Sequence, residues 1–175
     1  MLRVREFTPT DREACLAIFD SNCPRFLHPE ERPGFDEWLG ALQGTYLVIE
    51  EDATVIGCGG YAMEPDGQTL TLTWGLLHAD HHGRKLGELL LIERLARSLD
   101  ECNAKHSKLG TTPMIEPFFE RVGYRRVSET PNGWGPGLDR VDLRLEFTPE
   151  VAADIRQRRV AARERLGLDP HVSAS

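Results

Sequence analysis

The chain has 175 residues, 40% of them hydrophobic, with 21 lysines and arginines against 28 aspartates and glutamates, a formal charge of −7. That length suits one domain with a single core, and the acidic balance argues against nucleic acid or an anionic membrane as partner, since either calls for a basic face. No apolar run approaches the roughly 20 residues of a membrane span, the first residues lack a signal peptide's apolar stretch, and Cys15, Cys23, Cys58 and Cys102 follow neither disulfide nor zinc-knuckle spacing. The expectation is a cytoplasmic protein with reduced, buried thiols.

Taken in order, Leu2 to Phe7 alternates as a short strand, and Thr8-Pro9-Thr10-Asp11 supplies capping side chains for a helix carrying Ala14 and Ile18. Pro24, Pro29 and Pro33 then interrupt regular structure until Phe35, Trp38, Leu39 and Leu42 suggest a second helix. Tyr46 to Glu50 and Thr54 to Met63 read as a hairpin turning near Glu51-Asp52-Ala53, with Gly57, Gly59 and Gly60 marking a bulge, a close backbone approach or crowding against a helix. After the turn Pro65-Asp66-Gly67, Leu70, Leu72, Trp74 and Leu76 alternate with Thr71, Thr73 and Gly75 as the central strand.

From Arg84 onward the period changes. Leu89, Ile92, Leu95, Ala96 and Leu99 form an apolar face, with Glu88, Glu93, Arg94 and Arg97 read as the wet one. Between strand and helix lies His82-Gly83-Arg84-Lys85-Leu86-Gly87. A strand that turns through glycines into a helix gathers unpaired N–H groups and the positive end of the helix dipole at one point, an arrangement that suits phosphate.

Beyond the helix, His106 to Gly110 is a poor strand by pattern, while Ile115, Phe118, Phe119 and Val122 predict a helix ended by Gly123. Pro131 to Gly137 reads as a loop, and Val141, Leu143, Leu145 and Phe147 alternate with Arg140, Asp142, Arg144 and Glu146 as an amphipathic strand. Thr148 as N-cap and Pro149 at the first position open an arginine-rich helix, Glu150 to Leu166, that packs on its own domain or on a second copy in a homodimer. The expected organisation is a domain over 1–147, a helical extension over 148–168 and a flexible tail over 169–175.

Two blocks carry a family resemblance. His82 to Gly87 resembles the Gln/Arg-x-x-Gly-x-Gly/Ala motif of the GNAT acyltransferase superfamily, with Gly83, Leu86 and Gly87 in keeping and His82 and Lys85 departing from it. Ile115 to Tyr124, read IEPFFERVGY, resembles the family's later Ala-x-x-Phe-Tyr-Glu-Lys-x-Gly-Phe block. The likeness spans roughly residues 2 to 147. It implies an α/β fold, a mixed and mostly antiparallel sheet of six to seven strands flanked by helices, here with an extra C-terminal helix.

The resemblance also implies a function: transfer of an acetyl group from acetyl-CoA, as co-substrate, to a primary amine of a small molecule or peptide, by direct attack in a ternary complex. Main-chain groups at Leu76 and Leu77 would pair with the pantetheine arm where the fourth strand splays from the fifth. One such N–H would polarise the thioester carbonyl. His82, Gly83, Arg84, Lys85, Leu86, Gly87 and Glu88 would cradle the pyrophosphate, with Thr112 and Phe119 at further cofactor positions. Phe119 matches the tyrosine that usually protonates the leaving sulfur, and Thr112 a usual asparagine. A thiol of pKa about 8.5 is a tolerable leaving group without that acid.

His78 is the preferred base because imidazole titrates in the useful range, with Thr73 and Glu64 also near. Phe26, His28 and Trp38, in the region that forms the family's acceptor wall, and Tyr61, Trp74, Trp134 and Arg140 are candidates for the acceptor pocket or for the core. Two other readings remain. His78, Asp80 and His82 suggest a metal-binding protein, and Lys85 with Phe119 suggests a module that binds acyl-CoA without turning it over.

Overall fold

Period-two alternation and β-branched residues make strands of the first half of the chain, and short turns join them antiparallel. In the computed structural model, which describes residues 1–171, β1 (Leu2–Glu6) leads through a 3-10 turn into α1 (Arg12–Asn22), and a second such turn leads into α2 (Arg32–Gly40). The hairpin β2 (Thr45–Glu51) and β3 (Thr54–Met63) precedes β4 (Thr69–Leu77), α3 (Leu86–Glu101) and β5 (His106–Thr111). Then come α4 (Glu116–Glu120), β6 (Arg125–Gly135), β7 (Leu138–Glu146) and α5 (Pro149–Arg165).

The strands form one seven-stranded sheet in the order β1-β2-β3-β4-β5-β7-β6. Every neighbouring pair is antiparallel except β4 and β5, which α3 joins as a crossover. Cys15, Phe19 and Phe35 of α1 and α2 pack on Tyr46, Val48 and Cys58 on one face. On the other, α3 buries Leu89 and Leu90 against Leu47 and Ile49, and Leu91, Ile92 and Leu95 against Leu70, Leu72 and Leu143.

Three expectations need correcting. The helix read from Ile115 to Val122 has only Glu116–Glu120 in α-form; Gly123, at φ +107°, ends the segment by turning the chain out of it. The stretch Pro131 to Gly137, read as a loop, is mostly the end of β6. Pro131 fits there because β6 is an edge strand that pairs only with β7 and slips register between Thr130 and Gly135. Finally, Glu93 and Arg94 are not on a wet face: they are 1% and 4% exposed.

Glu93 is buried because α5 lies over it. Thr148 caps α5, its side chain accepting from the Val151 N–H at 3.3 Å. Arg163 Nη1 then donates to Glu93 Oε1 at 2.6 Å and Arg159 Nε to Oε2 at 3.1 Å. Of the tail expected over 169–175, residues 172–175 lie outside the described residues. Removing one partner of a buried pair strands the other, so Glu93→Ala is expected to cost about 3 kcal/mol of unfolding free energy in urea denaturation. Arg156→Ala, which breaks the exposed pair with Asp100, is expected to cost under about 1 kcal/mol. Equal losses would contradict the docking of α5 through Glu93.

Candidate functional site

The site arises where β4 and β5 part. They pair only at Thr69–His106, Leu70–Ser107 and Thr71–Lys108, after which β5 stays with β7 as far as Thr111–Val141. Against β3, Cys58 faces Leu76 and Gly60 faces Thr73, so β4 carries one extra residue at Trp74-Gly75. Trp74 takes φ +38° there. Its ring is held against Phe35 and Phe19, with centroids 4.8 and 6.2 Å away, and its carbonyl accepts from the Tyr46 hydroxyl at 3.0 Å. These contacts fix a bend that β5 does not follow.

The gap opens into a cavity of about 830 Å³. Its walls are β4 from Thr71 to Leu77, the end of β5 from Leu109 to Thr111 with Thr112 beyond it, the start of α3, Phe118 and Phe119 of α4, Asn22 at the end of α1, and Phe26, Leu27 and Glu31 from the α1–α2 connection. Trp134 and Arg140 of the β6–β7 hairpin close another side. The indole N–H of Trp134 donates to the Thr111 carbonyl at 2.8 Å, and the Arg140 guanidinium stacks 4.6 Å from its ring centroid. Gly110 lies beneath, where a Cβ would come 2.7 Å from the indole.

At the other end, Gly83 and Lys85 both adopt positive φ, +80° and +66°, and Lys85 caps α3. No acceptor among the described residues takes the N–H groups of Gly83 through Glu88; the first to be satisfied is Leu89, which donates to the Lys85 carbonyl at 3.1 Å. A run of free amides at the start of a 16-residue helix is an anion cradle.

Most of the residues expected at the cofactor border this cavity: Leu76, Leu77, His82, Gly83, Lys85, Gly87, Glu88, Thr112 and Phe119. Arg84 does not, because its guanidinium pairs with Glu51 of β2 at 2.6 Å. Leu86 sends its side chain into the core beside Leu89. The Leu77 carbonyl, expected to be free for a ligand, is engaged: Asn22 Nδ2 donates to it at 2.9 Å and His82 Nε2 lies 3.0 Å away. Among the acceptor candidates, Phe26, Trp74 and Arg140 line the cavity. Tyr61 lies in the core with its hydroxyl donated to Glu101 at 2.6 Å.

His78 is off the cavity wall. Its Nδ1 accepts from the Asp80 N–H at 3.3 Å and its ring faces that of His81. His81 in turn contacts Arg84, so neighbours in sequence turn to different partners, and among the described residues no three His, Cys, Asp or Glu side chains converge as metal ligands. Glu64 is taken by Thr71 and Lys108.

Glu31 and Arg94, like Arg121 and Arg158, line the wall without having been singled out from the sequence. Glu31 accepts from the His28 N–H at 3.0 Å, and burial pushes its carboxyl above the usual range against the opposing pull of that hydrogen bond. Arg94 of α3 sits under the bulge, where burial lowers its pKa without discharging it. The available signals were an arginine four residues after Leu90 on a buried stripe and a glutamate three residues after His28 in a capping pattern. Thr73 Oγ1 is the buried side-chain nitrogen or oxygen left without a hydrogen bond among the described residues.

A sheet parted at its parallel pair, with free amides at the adjoining helix start, has the shape and polarity that suit an extended, phosphate-bearing ligand. The model of the acetyltransferase (GNAT) family matches residues 13–124. Among solved structures, a GNAT-family protein from Desulfovibrio desulfuricans is 21% identical, with 83% of this chain and 99% of that one covered at a TM-score of 0.71. An aminoglycoside 6'-N-acetyltransferase complexed with coenzyme A is 13% identical over 84% and 98% of the two chains at 0.69. The ribosomal-protein-S18-alanine N-acetyltransferase of Escherichia coli is 16% identical over 85% and 95% at 0.70. No curated protein sequence matches. The chain belongs to the acetyltransferase (GNAT) family, and it is an acyltransferase.

Lys85 occupies a left-handed position where the family motif has glycine. A side chain costs about 1 kcal/mol there. Lys85→Gly is therefore expected to be more stable than Lys85→Ala by about 1 kcal/mol in chemical denaturation, both variants having lost the same charge. The reverse order would contradict the left-handed cap.

Proposed function

We propose that this chain transfers the acetyl group of acetyl-CoA to a primary amine of a small molecule or peptide, with both substrates bound together. The observation that carries this reading is the pairing of the β4–β5 gap with the free amides from Gly83 to Glu88: the gap suits an extended thioester arm, and the amides its diphosphate. The coenzyme A and amine-directed activities named for two of the similar structures agree with it.

In the antiparallel ladder, His78 N–H donates to the Ile56 carbonyl. The alternation therefore turns the amide of Leu77 toward the gap, where its N–H is available to the arm. The amine nitrogen attacks the thioester carbon, and the electron pair leaves on sulfur. Phe119 has no proton to give, and the Tyr124 hydroxyl is bound to Ser107 in the core. The sulfur therefore leaves as a thiolate, acceptable for a thiol with a pKa of about 8.5, and takes its proton from water.

On the acceptor side Glu31 replaces His78 as the group that orients the amine and takes its proton. It is the acidic side chain that the α1–α2 connection contributes to the cavity wall, and it makes no ion pair among the described residues. Glu31→Gln is expected to lower kcat/KM about 100-fold, the usual scale of a lost general base, while calorimetry still detects acetyl-CoA binding. The check is thiol release from acetyl-CoA across a panel of amines. Wild-type protein that binds acetyl-CoA but releases no thiol with any amine would replace this reading with that of a non-catalytic acyl-CoA module. Full activity in Glu31→Gln would remove Glu31 from the mechanism.

A further inference from the structure

Arg94 is more than a strut beneath the sheet. Its guanidinium lies against the two glycines that face α3 from β3 and β4: a Cβ on Gly59 would come 3.1 Å from Nη1, and one on Gly75 would come 2.7 Å from Nη2. Two strands thus give up a side chain at the point where the sheet parts. Nε donates to the Leu90 carbonyl at 3.2 Å, and Nη1 reaches the Gly60 carbonyl only at 3.5 Å. Nη2 has no acceptor among the described residues, and the residue borders the cavity.

Among the described residues no carboxylate pairs with it. The groups whose charge bears on Arg94 are the phenols of Tyr124 and Tyr46, which burial keeps neutral near pH 7, and the thiol of Cys58. The other inward-facing arginines differ: Arg163 holds Glu93, and Arg5 holds Asp11 and Glu50. A desolvated guanidinium is expected to have an anion. A planar fork with an unused N–H edge is matched by a carboxylate.

We propose that Arg94 is the floor of a carboxylate subsite beside the reacting thioester, so that one of the two substrates carries a carboxylate. The position follows from Gly75, which lies in the bulge of β4 and adjoins Leu76 and Leu77 at the end of the gap assigned to the thioester. The carboxylate belongs either to the acyl group, as in the half-thioester of a dicarboxylic acid, or to the acceptor, as in an amino acid. This inference rests on the cavity being a thioester site.

The test has two arms, both on the full chain. In the first, calorimetry compares succinyl-CoA with butyryl-CoA, which has the same number of acyl carbons and no charge. In the second, thiol release from acetyl-CoA compares several amino acids with their own carboxamides. The amide is the less basic amine and so has more of the attacking neutral form, which means that a preference for the acid cannot come from amine basicity. The expected result is a preference of about tenfold or more for the carboxylate in one arm, the scale of a charge-assisted hydrogen bond. That preference is lost in Arg94→Met and partly kept in Arg94→Lys, and the arm in which it appears names the source.

The wild-type comparison decides the matter even where Arg94→Met fails to fold. Affinities and rates within about twofold in both arms, with acetyl-CoA still bound, would overturn the subsite and leave the acyltransfer reading standing. A preference unchanged in Arg94→Met would also overturn it. Failure of every thioester to bind would overturn both.

Discussion

The bend of β4 at Trp74 and Gly75 is the constraint on which the rest of this structure depends. A parallel pair joined by a helical crossover would ordinarily run in register to its end, but here it lasts three residue pairs. Three forces act at the bend: rings of α1 and α2 clamp Trp74, the Tyr46 hydroxyl holds its carbonyl, and β7 keeps β5 on its own course. Each is an ordinary packing or hydrogen-bond interaction. Their sum leaves open the edges of two strands in the middle of a sheet, backbone that elsewhere in a protein would be paired.

The charges of the molecule are arranged around that opening. α5, beyond the segment matched by the family model, is anchored on α3 by Glu93 and brings Arg158 to the cavity and Arg165 to Glu88. The helix expected to pack on its own domain or on a second copy thus contributes to the wall. Glu31 and Arg94, by contrast, reach the cavity with no partner of opposite charge among the described residues. An acidic chain by composition therefore carries, at its centre, separate positive and negative groups directed at whatever binds.

Much of this could be read from residue order. Alternation marked the hairpin and β4, periodicity marked α3, and the glycines between them marked the anion cradle; His106 to Gly110, a poor strand by pattern, needed the family likeness. What failed to appear has a common physical cause. Periodicity sorts residues by type, so Glu93 and Arg94 fell on the polar side although α5 covers one and the bulge covers the other. The family likeness placed His78 near the reaction centre, but a 3-10 turn directs its ring to His81 and Asp80. Glu31 is distant in sequence from β4 and joins it only because α1 and α2 fold over that face. Pro131 to Gly137 has the composition of a loop, yet an edge ladder with slipped register absorbs it as strand.

The claim underlying the account is that the gap between β4 and β5 receives the donor arm while the start of α3 receives its diphosphate. A crystal structure of the chain with coenzyme A tests this most directly. The account predicts the diphosphate within hydrogen-bond distance of the main-chain amides from Gly83 to Glu88 and the thiol beside Gly75. A diphosphate seated elsewhere on the protein, with the gap closed or filled by side chains, would contradict it.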